Sequence, residues 1–205
     1  GKQLSYNNYN DIFFFFSISK SLHKNKGVVI IKHANPCGVS VLKDKIACYK
    51  NALACDPISA FGGIVSCNFK ITKSLALELN KIFFEVVIAN GFENKALQVL
   101  KLKKNLRLID SSNFELNEIL RFNSINDSML IQSEDKKEFL RKNFEIVSKK
   151  KPSKSQLDNL IFAFNICRYV KSNAIVLASN HSTIGIGSGQ PSRLDSCKIA
   201  IKKMK

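Results

Sequence analysis

Short β-branched apolar runs recur down this chain and alternate with segments of helical spacing. Residues 28–32, 63–67, 85–89 and 106–109 are each about one strand long, and Gly, Pro or Asn punctuates their ends. Residues 44–55 place Ile46, Ala47, Tyr49, Ala52 and Leu53 at helical intervals before Asp56-Pro57 stops the pattern. Thr72 is positioned to cap a helix running to about residue 83, with Leu75, Leu79 and Ile82 on one face. Residues 93–102 read as another helix, and 11–23 as an opening one, although its Phe run has no clean period. Alternating units of this kind bury their apolar faces by layering, so an α/β fold with a partly parallel sheet is expected.

The alternation lapses over residues 110–150, where only hairpin strands around 128–132 and 144–148 can be read. It restarts after the charged, Pro-containing segment 149–155. Pro152 opens a helix to about residue 169, with Ser153 or Ser155 as its cap. Residues 174–178 and 183–186 read as strands, and Arg193 begins a last helix. A boundary near residue 150 is therefore expected, with a first unit over 1–150 and the start of a second over 151–205.

With 45% hydrophobic residues and 15 Phe, the chain can bury a core. Its six Cys form no C-x-x-C pair and mostly lie in apolar-periodic segments. That pattern reads as reduced, buried thiols in a cytoplasmic protein rather than a disulfide framework. No apolar stretch approaches the roughly 20 residues of a membrane span, and no secretory pattern opens the chain. The absence of a starting Met leads us to expect a piece of a longer protein. The net charge of +16 is spread along the sequence, with little aromatic interleaving. Abundant Lys and Asn fit compositional drift in an A/T-rich genome, ahead of anionic ligands and, last, nucleic acid.

Four constellations carry chemistry. Lys32 and His33 follow the apolar run Gly27-Val-Val-Ile-Ile31 and precede Asn35-Pro36-Cys37-Gly38. A strand that ends on a cation and an imidazole is a common way to build a site. In extended geometry the two side chains point to opposite faces, so they serve one centre only if the backbone bends there, and Pro36 and Gly38 point to that bend. Next comes Asp56-Pro-Ile-Ser-Ala-Phe-Gly-Gly63, whose glycines permit close backbone approach and whose Phe61 offers a stacking face. The third is Lys171-Ser172-Asn173 ahead of a strand. The fourth is Gly185-Ile-Gly-Ser-Gly-Gln190 leading to Arg193, an anion or carbonyl site at a helix N-terminus. Taken singly, each has an ordinary structural reading: a solvated Lys beside a satisfied His, an αβ loop, a turn cap, and a Gly-x-Gly-x-Gly without dinucleotide spacing.

Together, residues 4–8, 32–38, 59–63, 85–89, 171–176 and 185–193 resemble, in order, the transformylase domain of the bifunctional AICAR transformylase/IMP cyclohydrolase family. The resemblance implies cytidine-deaminase-like layered α/β units, here a first unit plus the start of a second. It implies formyl transfer from the cosubstrate 10-formyltetrahydrofolate to the 5-amino group of the ribonucleotide AICAR. It makes His33 the proton-transfer residue, Lys32 the group that stabilises charge on the formyl oxygen, and Asn173 the residue that orients the reacting amine or carboxamide. Ser192 and Arg193 would sit in the nucleotide site, Phe61 and Gly62 would line it, Glu85 would face the ribose, and Asn8 would lie beside the nucleotide. The family is homodimeric and builds its sites across subunits. The deaminase zinc signature is missing, so no metal is implied; neither a membrane nor a nucleic-acid partner follows.

The cyclohydrolase domain and an upstream Arg-Tyr stretch of the family lie outside these residues, as does the later part of the second unit. Gln190-Pro191-Ser192-Arg193 replaces the usual Gln-Met-Ser-Arg, and Pro191 is tolerated at a helix start. Two other readings stay open: a catalytically inactive remnant that binds or dimerises, and a basic nucleic-acid-binding protein.

Overall fold

The computed structural model describes residues 2–22, 26–114, 120–135, 137 and 139–204. The first helix, α1 (Tyr6–Ser21), starts earlier than its Phe run suggests. Ser5 caps it, accepting from the Asn8 N–H while the Asn8 side chain accepts from the Ser5 N–H. Asn rather than Glu or Gln at that third position hid the capping box in the sequence. The expected end at His23 lies outside the described residues. Ile12, Phe15, Ile18 and Leu22 are buried, a helical stripe worth roughly 2 kcal/mol per large side chain removed from water.

Then follow β1 (Gly27–Lys32), β2 (Asn35–Val41), α2 (Lys45–Cys55), the short α3 (Pro57–Ala60) and β3 (Ile64–Cys67). The chain continues through α4 (Lys73–Leu79), β4 (Val86–Ala89), α5 (Asn94–Leu100) and β5 (Arg107–Asp110). A separate hairpin, β6 (Leu120–Ile125) and β7 (Ser128–Ser133), precedes α6 (Lys154–Cys167), β8 (Ile175–Ser179), β9 (Ser182–Gly187) and α7 (Arg193–Lys203).

The main sheet has seven strands in the order β5-β4-β3-β1-β2-β9-β8. It is α/β and partly parallel, as expected. Only β3–β4 and β4–β5 run parallel, each joined by a crossover helix; the other pairs are antiparallel. Strands β8 and β9, which follow the expected boundary at residue 150, extend this same sheet through β2. Helix α1 and the C-terminal end of α6 cover one face, and α2, α4 and α5 the other.

Two local expectations are corrected. The bend is not made by Pro36 and Gly38, which lie inside β2; it is the two-residue turn His33-Ala34, closed by the Lys32–Asn35 pair. Residues 144–148 are not a strand. Phe144 packs edge-on against Phe139 and Phe164 instead, so aromatic packing onto α6 takes the place of a strand partner.

Glycine is required where layers approach closely. A Cβ on Gly187 of β9 would stand 1.9 Å from the Ser196 carbonyl oxygen of α7, and one on Gly38 of β2 would stand 1.8 Å from that of Ala52 in α2. Most of the 185–189 glycine run therefore seats α7 on the sheet. Gly189 alone, at φ 68°, serves a turn.

Candidate functional site

At the end of the β1–β2 hairpin, His33 and Ala34 both take left-handed backbone conformations, at φ 55° and 51°. Two such residues form the tight turn whose twist matches a hairpin, normally supplied by Asn-Gly. For residues with a Cβ the conformation costs on the order of 1 kcal/mol each. The turn is held from below by α1. The Asp11 carboxylate accepts the His33 N–H at 3.1 Å on one oxygen and the Ala34 N–H at 2.6 Å on the other.

The bend brings Lys32 and His33 to one cleft of about 260 Å³, which Asn8, Phe61, Gly62 and Glu85 also line, together with Asp11. The Lys32 ammonium donates to the Phe61 carbonyl at 2.6 Å. That carbonyl is offered by the turn after α3, where Gly62 takes φ 72° and donates its N–H to Phe83 O at 2.8 Å. The Phe61 ring is 59% exposed and leans on Phe83 at 5.5 Å between centroids, leaving a face for a planar ligand. In the same cleft, Glu85 accepts from the Asn8 side-chain amide at 2.7 Å and lies 3.8 Å from the Arg107 guanidinium. The cleft thus gathers a cation, an imidazole and two carboxylates, Glu85 and Asp11.

Asn173, Ser192 and Arg193 do not line this cleft. The Asn173 side-chain amide donates to the carbonyls of Gln190 and Pro191, at 3.0 and 2.8 Å, and its own carbonyl accepts from Ser196 Oγ. It clasps the loop between β9 and α7. The Ser192 hydroxyl caps α7, and Arg193 begins that helix, exposed. The two loci open near one another, for Ala34 and Lys171 share a neighbouring cleft of about 530 Å³.

Sequence reasoning missed Asp11 and Arg107. The spacing of Asn8 and Asp11, three residues apart on a helix, was the available signal, since it puts both on one face. Arg107 carried none, because its link to Glu85 follows from the β4–β5 pairing.

The family profile of the AICARFT/IMPCHase bienzyme matches residues 1–203. The bifunctional purine biosynthesis protein PurH of Rhodospirillum rubrum is 44% identical over 202 residues, covering 98% of this chain and 38% of its own length. PurH of Oceanobacillus iheyensis is 39% identical over 207 residues, covering 99% and 40%. PurH of Bacillus cereus strain AH187 is 43% identical over 203 residues, covering 98% and 39%. The chain spans about two fifths of the length of these relatives.

Proposed function

This chain belongs to the AICARFT/IMPCHase bienzyme family, and from that membership we propose that it acts in purine biosynthesis as formyltransferase machinery of a longer, cytoplasmic bifunctional protein. The reaction is transfer of the formyl group of 10-formyltetrahydrofolate to the 5-amino group of AICAR. The observation that supports it most is the convergence of four separate stretches, carrying Asn8, Lys32-His33, Phe61-Gly62 and Glu85, on one cleft.

In this reading the AICAR amine attacks the formyl carbon. His33 takes the amine proton and returns it to the folate nitrogen as the C–N bond to folate breaks. The Lys32 ammonium faces the oxygen on which negative charge gathers. Phe61 and Gly62 bound the nucleotide, Glu85 receives the ribose, and Asn8 holds Glu85 in place. Asn173 orients the amine or carboxamide, and Ser192 and Arg193 meet the anionic part of the nucleotide.

A cleft of about 260 Å³ is smaller than the several hundred Å³ that enclose a ligand of drug size. A nucleotide and a folate therefore need further walls. In the proposal these are the Asn173–Arg193 locus and a second copy of the protein, as a homodimer. The division at residue 150 into a first unit and the start of a second belongs to the same proposal. The small cleft also suits a second reading, a catalytically inactive remnant that binds or dimerises.

Titrating AICAR into the isotope-labelled chain tests the site. Amide shifts at His33, Phe61, Gly62 and Glu85 are expected. Unmoved signals at all four would remove the cleft from nucleotide binding.

A further inference from the structure

His33 and Ala34 adopt a left-handed conformation that residues with a Cβ take uncommonly, and two in succession call for support from their surroundings. Ala34 has no intrinsic preference for it, and His33 a weaker one than Gly. The enforcing group is visible: both Asp11 carboxylate oxygens are occupied, one by each backbone N–H of the turn. Asp11 is 6% exposed. Among the described residues its charge has no cationic partner, so the two amide hydrogens carry its solvation. It stands on α1 one turn beyond Asn8, whose side chain donates to Glu85 in the same cleft. One helix face therefore braces both the His33-Ala34 turn and Glu85.

We propose that Asp11 is a positioning residue, whose carboxylate locks the left-handed His33-Ala34 turn and so aims the imidazole at the reacting amine. This rests on the reading of His33 as the proton-transfer residue. The role assigned to Asp11 is confined to these two backbone hydrogen bonds and includes no proton transfer.

Asp11→Asn is the test, since it keeps the volume and one acceptor while turning an N–H donor toward an N–H donor. Thermal unfolding first establishes that the variant is folded. In the chain, amide exchange at His33 and Ala34 should quicken about tenfold, with the rest of β1 and β2 unchanged. In the longer formyl-transferring protein, kcat should fall about 100-fold while KM for AICAR moves by less than about threefold. Asp11→Glu should recover part of the lost kcat. Unchanged exchange at both amides overturns the lock, and quickened exchange with wild-type kcat overturns its catalytic consequence. Wild-type turnover in His33→Ala overturns the underlying reading of His33, and that outcome is separable because the exchange measurement does not use the reaction.

Discussion

At the scale of single residues, a half-buried ion pair ties the loop that ends in the cleft to the last helix. Asp56 caps α3 through the Ser59 N–H, and its other oxygen lies 2.7 Å from Lys203 of α7. Burial pushes the Asp56 carboxyl up, but hydrogen bonds from Lys203 and Ser59 outweigh it, and the net position is below the usual carboxylate range. A carboxyl lowered by folding adds stability above its unfolded value, near pH 4, and that contribution is lost as pH falls through the folded value. Asp56→Asn should therefore cost about 2 kcal/mol at pH 7, and its deficit against wild type should shrink steadily below about pH 4 in urea unfolding. The thiols give a second prediction. Burial foremost pushes Cys37 up to about 12 and Cys55 up to about 11. At pH 8 both should react with a thiol reagent only as fast as the chain opens, and rapid labelling of the native protein would contradict their packing. The sequence showed Lys32 and His33 because strand-end chemistry is local. It did not show Asp11, whose part is a pair of backbone hydrogen bonds to residues 22 and 23 positions away.

At the scale of elements, β1 through β5 and their helices could be read in outline because each carries its own period and stop signal. Thr72 and Ser153 cap helices as expected, and Asp44, read as the first residue of its helix, caps α2. Thr72 starts α4 as expected, but the helix closes at Leu79, well before residue 83. Residues 110–150 were hard to read because the β6–β7 hairpin is exposed along its length and shows no inward–outward alternation. The glycine run at 185–189 looked like a ligand loop, whereas Gly185 and Gly187 answer the backbone of α7. Gly187→Ala should then destabilise by about 2 kcal/mol through forced separation of α7 from β9, seen as a lower urea midpoint. An unchanged midpoint would mean that α7 does not rest where it is drawn.

At the scale of the molecule, one mixed sheet collects chemistry from segments nearly 80 residues apart, the Asn8–Glu85 bond being the longest such link in the cleft. No helix among the described residues is long and apolar enough to cross a membrane. The charge of +16 is scattered rather than gathered, so any nucleic-acid binding should be sequence-blind and fade toward physiological salt. In the proposed reaction, Lys32 at the end of β1 and His33 in the turn together carry the formyl transfer. The most direct test is His33→Ala in the longer protein, with turnover and AICAR affinity measured side by side. A loss of about 100-fold or more in kcat is expected, with AICAR affinity held within about threefold. Turnover comparable to wild type would contradict it.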